Sequence, residues 1–456
     1  MTDLTRLNRR KLLAAAPAAA AAGALAACGS SSKGGGTSTT PASPLPSAAM
    51  EAELAKPASI TFWSWTPGTQ KQVDLFQKKY PNIQVKLVNA GQGTPEYTKL
   101  RTALKAGKGA PDACQIEFQY IPTFNLGNNL LDLVPYGAND VKDQFVDWTW
   151  NQVSVGGKVL AIPWDTGPMG LLYREDIFTK YKIPVPTTWD EFAASGNKLH
   201  SAAPGIAMTT LGNDQIGQFL ALMWQLGAKP FKTEGTNLTI NMNGPEAKKI
   251  ANYLEPLVAS GVVSTDTTFN NDWYAGLANG RYATWFSAAW GPIFLQGSAA
   301  KSSGKWRAAP LPQWDKSKPS SGNWGGSTIA VMSKTQHPAA AAAFAKFMMT
   351  DPTSVQMFSE TQFLFPSVKA ELARPAYIDQ KLPFYGGQQV NKIFADISKT
   401  VATDFEWDPF HDYLSTEAQN TYGAAMIKKK GIAASLDALQ VNLVSYAKAQ
   451  GFTVKT

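Results

Sequence analysis

The stretch from Ser59 to Glu117 constrains the fold most, because its hydrophobic period alternates between that of a strand and that of a helix. Ser59-Ile60-Thr61-Phe62-Trp63 reads as a buried strand. Val73, Phe76 and Tyr80 then fall on one helical face, and Pro81-Asn82 stops that helix. Ile83-Gln84-Val85-Lys86-Leu87 alternates strictly, which predicts a second strand. A helix around Tyr97 to Ala106 follows, then Pro111-Asp112 and a third strand from Ala113 to Glu117. Strands joined through helices pair in parallel and carry the helices on their faces, so the expected class is α/β. Ligands of such sheets sit beyond the carboxyl ends of the strands. Those ends are Trp63 to Thr66 and Glu117 to Tyr120.

Further along, Gly156-Gly157-Lys158-Val159-Leu160-Ala161-Ile162-Pro163 turns and enters a strand. Trp164-Asp165-Thr166-Gly167-Pro168 interrupts it and Leu171-Leu172-Tyr173 resumes, a break that reads as a hinge between lobes. Thr188-Trp189-Asp190-Glu191 has the spacing of a capping box. Phe344, Phe347 and Met348 mark a helix ending at Asp351-Pro352, and Ile432, Leu436, Leu439, Leu443 and Tyr446 mark the last one. From Pro57 to Thr456 lie roughly 400 residues, which favours two lobes over one core.

The N-terminus is of a different kind. Asn8-Arg9-Arg10-Lys11 precedes an apolar run, Leu12 to Ala27, that is mostly alanine. It is shorter and less apolar than the roughly 20 residues a membrane span needs. Leu25-Ala26-Ala27-Cys28-Gly29 resembles the lipobox of bacterial lipoproteins, which implies a signal peptide over 1–27 and lipidation at Cys28. The arginine pair resembles a twin-arginine export signal, with Asn8 where that signal usually has Ser or Thr. Residues 28–56, rich in Gly, Ser, Thr and Pro, are expected to be a flexible tether. Only Cys114 then remains, so a disulfide framework is excluded; Cys114 is expected to be a small buried core residue. The formal charge is +8, of which +3 precedes Cys28, and Lys428-Lys429-Lys430 is the one tight basic cluster. A basic nucleic-acid-binding face is therefore not expected.

The three histidines, His200, His337 and His411, lack metal-ligand spacing, and no HExxH, P-loop or GxSxG string occurs. No metal, cofactor or catalytic set is expected; Glu175-Asp176 and Asp190-Glu191 read as helix starts. What the chain does offer is 14 tryptophans, none before Cys28. A sugar ring has an apolar C–H face, which suits an aromatic plane, and an equator of hydroxyls, which suits carboxylates and amides. Trp65, past the first strand, is expected to face the cleft and Trp63 the core. Glu117 serves a ligand or caps a strand end; Asp165 serves one or orients backbone amides. Trp324 precedes Gly325-Gly326, where bare backbone can approach a ligand. Trp273 and Trp407 enter as binding candidates on composition and placement alone, and Gln215 and Asn323 add amides nearby.

Four stretches, PDACQIEFQYIPTF followed by LLDL, GKVLAIPWDTGPMGLLYREDIF with PTTWDEF, GRYATWFSAAWGP, and NWGGSTIAVMSKTQHPAAAAAFAKFM followed by FPS, carry a resemblance. In that order they resemble the bacterial extracellular solute-binding proteins of the maltose-binding-protein type. The resemblance implies a two-lobed fold, each lobe a mostly parallel sheet flanked by helices, with hinge crossings between the lobes. It places the first lobe at 57–165 and 326–382 and the second at 166–325 and 383–456. It also implies that Gln119, Tyr120 and Trp290 hold ligand, Trp290 by stacking on a sugar. The implied function is capture of a sugar, preferably an oligosaccharide, by a monomer anchored outside the membrane, and delivery to an ABC permease. A glycerol phosphate would call for clustered Arg, and a polyamine for acids with aromatics, which Glu117, Asp165 and Asp404 to Asp408 leave open. A sugar sensor or adhesin uncoupled from transport is the third reading.

Overall fold

The computed structural model describes residues 45–362 and 364–456. The arginine pair, the apolar run, Cys28 and the first part of the tether lie outside the described residues. The expected tether is shorter at its far end, because Ser47–Leu54 is a surface helix. Its Ala, Met, Glu and Leu residues are strong helix formers. The chain is tied down on both sides of it: the Leu45 amide donates to the Pro135 carbonyl, and Asn82 Nδ2 donates to the Ala55 carbonyl, each at 2.8 Å.

The opening β-α-β-α-β unit forms as expected. Ala58–Trp63 lies between Ile83–Val88 and Ala113–Glu117 and is parallel to both. The helix Thr69–Lys79 buries Val73 and Phe76, and Phe76 meets Phe344 and Phe347 of the helix Pro338–Thr350 at 5.2 and 5.3 Å. The next helix begins at Thr94, earlier than periodicity suggests, because Pro95 fixes its first turn. Cys114 is fully buried, and burial pushes its thiol well above the ordinary range.

Beyond the third strand the pairing changes sense. Two long strands, Ala161–Arg174 and Asn323–Val331, cross the molecule antiparallel to each other, and Asn323–Val331 is also antiparallel to Ala113–Glu117. The second half of Ala161–Arg174 pairs with Thr284–Ala288 on one side and Trp306–Pro310 on the other, both antiparallel. The first three strands pair in parallel as expected, as do Thr209–Thr210 with Val263–Ser264 and Asn237–Ile240 with Thr453–Lys455 in the second half, while the large sheet of seven strands is mixed. The physical reason is that the chain enters these strands from the end at which their neighbours finish, without the crossover back to the starting end that parallel strands need.

A second correction concerns the expected break at Trp164 to Pro168. Ala161–Arg174 is one unbroken 14-residue strand. It changes partners there instead of ending: Pro168 still faces Asn323, and from Met169 onward its neighbours are Thr284–Ala288 and Trp306–Pro310. Pro168 has no amide to give a ladder, and the Gly167 amide is taken by Asn323 Oδ1 at 2.8 Å.

Thr188 and Glu191 form the expected capping box on the helix Trp189–Ala202. Ile432–Ala449 buries Ile432, Leu436, Leu439 and Leu443. Lys428 to Lys430 end a helix in solvent, with Lys429 in the left-handed conformation. Among the described residues no helix is long and apolar enough to cross a membrane.

Candidate functional site

The carboxyl ends of the parallel strands open onto a cleft of about 820 Å³. That volume is in the upper part of the range of about 300–1,000 Å³ usual for small-molecule sites.

One wall is polar and tightly wired. Gln115 Oε1 accepts from Ser64 Oγ at 2.8 Å and Thr66 Oγ1 at 3.1 Å, while its Nε2 donates to Ser327 Oγ at 3.0 Å. The Ser327 amide donates to Asp165 Oδ1 at 2.9 Å, and the Ser327 hydroxyl donates to the same oxygen. Four separate segments are thus joined through buried side chains, which fixes the wall before any ligand arrives. The Glu117 amide donates to Tyr97 Oη at 2.9 Å, and that hydroxyl donates to Glu117 Oε2 at 3.1 Å. Burial pushes the carboxyls of Glu117 and Asp165 above their ordinary range, opposed by hydrogen bonds from Tyr97 and Gln119 and from Ser327 respectively.

Another part of the lining is aromatic. Trp290 and Trp324 meet at 5.1 Å, and Phe269 lies 6.1 and 5.8 Å from them. Trp290 Nε1 donates to the Trp324 carbonyl at 2.8 Å, which satisfies the indole N–H and leaves a half-exposed ring. Gly325 and Gly326 have φ of +70° and +85°. A Cβ on Gly326 would stand 2.8 Å from the Asp165 carbonyl oxygen, so the chain itself makes the close approach that bare backbone permits here.

Charge in the cleft is one-sided. Its lining includes Glu117, Asp165, Asp214 and His411, and no Lys or Arg. The His411 ring is oriented by Asp408, with Nδ1 2.9 Å from Asp408 Oδ2. Three buried polar atoms on lining residues have no partner among the described residues: Gln119 Oε1, Gln362 Oε1 and Trp407 Nε1. Buried polar groups are ordinarily paired, so these three are exceptions on the lining. The described residues contain no group of three or more His, Cys, Asp or Glu arranged to hold a metal.

The structure brings Trp65, Glu117, Gln119, Asp165, Trp290, Trp324, Gly325 and Trp407 together on this lining, with Gln215 beside them. Asp165 faces the cleft, and it holds the Ser327 amide, as its second reading expects. Trp63 packs half-buried against the core, as expected. Two candidates fall elsewhere. Tyr120 is not on the lining; it packs on Tyr97 at 4.2 Å and edge-on to His411 at 5.0 Å, because the turn Phe118–Tyr120 rotates it behind Gln119. Trp273 is core, 1 % exposed, and lies 5.1 Å from Trp285. It shares the buried face of the helix Asn271–Asn279 with Gly276 and Leu277, so the next residue, Tyr274, lines the cleft instead. Asn323 supports the crossing, donating to the Gly325 carbonyl at 2.8 Å.

Sequence reasoning missed Gln115, Asp214, Phe269, Phe294, Gln362 and His411, all on the lining. Gln115 was hidden inside an apolar run. Phe269 stands in a polar loop with no periodicity. His411 was judged only as a metal ligand, although Asp408 three residues before it was a visible signal.

A sheet crossed twice by the same chain, with a ligand-sized cleft where the crossings meet the strand ends, is the architecture of the two-domain solute receptors. Residues 63–353 match the bacterial extracellular solute-binding protein family, and the chain belongs to it. It is similar to an arabinooligosaccharide-binding protein of Halalkalibacterium halodurans, 24% identical over 292 residues, 61% of this chain and 64% of that relative. The chain thus spans just under two thirds of that relative's length. A lactose-binding protein of Rhizobium radiobacter is 25% identical over 357 residues, covering 74% of this chain and 81% of the relative. Among solved structures, the ABC transporter associated binding protein of B. animalis subsp. lactis in complex with β-1,6-galactobiose is 30% identical with a TM-score of 0.75, covering 87% and 99% of the two chains. The galacto-N-biose-/lacto-N-biose I-binding protein of the ABC transporter from Bifidobacterium longum, in complex with lacto-N-biose, is 26% identical with a TM-score of 0.77, covering 87% and 98%.

Proposed function

We propose that this protein is an extracytoplasmic receptor for a neutral sugar, preferably a short oligosaccharide, which it delivers to an ABC permease. The observation that carries the reading is the pairing of an aromatic wall with an amide and carboxylate wall in a cleft whose lining holds no Lys or Arg. The aromatic planes suit C–H faces; Gln119, Gln362 and Glu117 suit hydroxyls. A phosphate or carboxylate ligand would enter a site of like charge, which disfavours it. A polyamine is less well served, because the Asp165 carboxylate is already occupied by Ser327. The names of the relatives, which are oligosaccharide, lactose and galactobiose receptors, point the same way.

The rest of the reading follows from that one. The lobes divide at the two crossings, as 57–165 with 326–382 and 166–325 with 383–456, and hinge bending closes them on ligand. Cys28 carries the lipid anchor, and the chain acts as a monomer that binds without turning its ligand over.

A thermal-shift screen of the mature protein tests it. Lactose, β-1,6-galactobiose, arabino-oligosaccharides and malto-oligosaccharides go in one arm, spermidine and glycerol 3-phosphate in the other. A ligand held by the folded state alone stabilises it by about 2.7 kcal/mol at a hundred times its Kd. A shift with at least one neutral sugar, and no sugar hydrolysis on incubation, is the expected result. A shift with spermidine or glycerol 3-phosphate alone would overturn the reading.

A further inference from the structure

Four non-glycine residues among those described have φ in the left-handed region: Asn128, Lys182, Phe269 and Lys429. Asn128, Lys182 and Lys429 come one or two residues after helices ending at Leu126, Lys180 and Lys428, where a left-handed residue is the usual way to terminate a helix. Phe269, with φ of +58°, has no such reason, since it precedes the helix Asn271–Asn279. A bulky side chain in this region is a genuine outlier. Such strain persists where the surroundings over-determine it, and it gathers at ligand sites.

The surroundings here do over-determine it. On one side the Thr268 amide and hydroxyl both donate to Asp214 Oδ1 at 3.3 Å, and Tyr282 Oη donates to Asp266 Oδ2 at 2.5 Å. On the other side Asn270 Oδ1 caps the Trp273 amide at 2.9 Å, and Asn270 Nδ2 donates to the Thr267 carbonyl at 2.9 Å. The residue between these clamps, 37 % exposed, is turned so that its ring lines the cleft. It spans two layers, with Trp273 and Trp285 at 5.2 and 6.3 Å behind it and Trp290 and Trp324 at 6.1 and 5.8 Å beside it.

We infer that Phe269 is a ligand-selecting residue, held in a strained backbone so that its ring closes the third side of an aromatic cup with Trp290 and Trp324 around one ring of a neutral sugar. This rests on the sugar reading above. A residue serving only as core filler would have no need of a left-handed backbone or an exposed ring, whereas a pre-placed third plane meets the ligand without reordering on binding.

The experiment separates backbone from ring. Phe269→Ala removes the ring and keeps the strain; Phe269→Gly removes both; Phe269→Tyr keeps both. Ligand-free melting temperatures come first. Phe269→Gly is expected to melt above Phe269→Ala, the reverse of the usual order, in which Gly is the less stable of the two. Calorimetry with β-1,6-galactobiose and lactose comes second. Phe269→Ala and Phe269→Gly are both expected to bind at least tenfold more weakly than wild type, and Phe269→Tyr within about twofold of it. Phe269→Ala melting at or above Phe269→Gly overturns the strain assignment. Wild-type affinity in the Ala and Gly variants overturns the ligand role and leaves the sugar reading standing. Absence of wild-type binding to any sugar of the screen above removes the sugar reading and this inference with it.

Discussion

Trp290 and Trp273 show how far one residue's setting decides its job. Both are tryptophans of the second half of the chain, with Trp285 packed against each. Trp290 has its N–H satisfied by the Trp324 carbonyl and its ring half-exposed on the cleft. Trp273 is sealed, and its N–H has no partner among the described residues. Trp290→Ala is therefore expected to lower stability by clearly less than Trp273→Ala and to weaken sugar binding at least tenfold, about 1.4 kcal/mol. Trp273→Ala is expected to lower stability by about 3–5 kcal/mol, the usual cost of emptying a buried aromatic site. Calorimetry and chemical denaturation on the two variants check the contrast, and equal binding losses at equal stability would refute it. The sequence placed both in the right stretch. It could not tell Trp273 from Tyr274, because one residue is about a third of a helical turn, and only the packed helix shows which of them turns inward.

At the level of elements, the crossing strands and the helix Thr94–Ala106 each carry a prediction. In Asn323–Val331, Gly326 combines a φ of +85° with a Cβ position 2.8 Å from the Asp165 carbonyl oxygen. Gly326→Ala is expected to cost at least about 1–3 kcal/mol, the scale of one strained backbone position, and to shift the register that holds Trp324. Urea denaturation would show it, and a stability equal to wild type would remove the argument. In the helix Thr94–Ala106, Glu96 is fully buried in the first turn. Its Oε1 accepts from Cys114 Sγ at 3.2 Å, and Oε2 has no partner among the described residues. Burial pushes this carboxyl up to about 8. The folded state then holds the proton up to about pH 8, while the unfolded chain releases it in the ordinary carboxylate range near pH 4.3. The folded state binds more protons in that window, so this group's contribution to stability declines as pH rises through it. Glu96→Gln stays neutral and is expected to melt progressively higher than wild type between about pH 5 and pH 8, with a gap that closes toward pH 4. Parallel pH profiles would refute it. Neither feature was legible as such: the local pattern does not mark Glu96 as buried, and the Gly325-Gly326 pair read as room for a ligand, because burial of one helical residue and a clash across strands exist only once distant segments pack.

For the whole molecule, the two halves also meet beside the cleft. Arg101, on the helix Thr94–Ala106, pairs with Asp412, on the helix His411–Ala418, at 2.6 Å. The His411 amide donates to Thr123 Oγ1 at 3.2 Å in the same region. Each side chain of the pair is 36% exposed, so the pair is worth about 0.2–1 kcal/mol. On the lobe division proposed above it spans the lobes, and Arg101→Ala is expected to weaken ligand binding by no more than about fivefold at low salt, with the gap narrowing as salt screens the pair. A salt-independent loss, or none, would exclude a role in closure. What the sequence by itself determined was the β-α-β-α-β order, the cleft at the strand ends, and part of the composition of its walls, because period and turn chemistry are local properties. Tertiary structure alone decided that the Trp164 to Pro168 segment carries one strand between two sets of partners, that Gln115, Ser327 and Asp165 form one network, and that Phe269 is turned into the cup. Those outcomes depend on contacts between residues far apart in the chain, such as Gln115 with Ser327 and Thr268 with Asp214, and a local pattern carries no information about which distant partner it will meet.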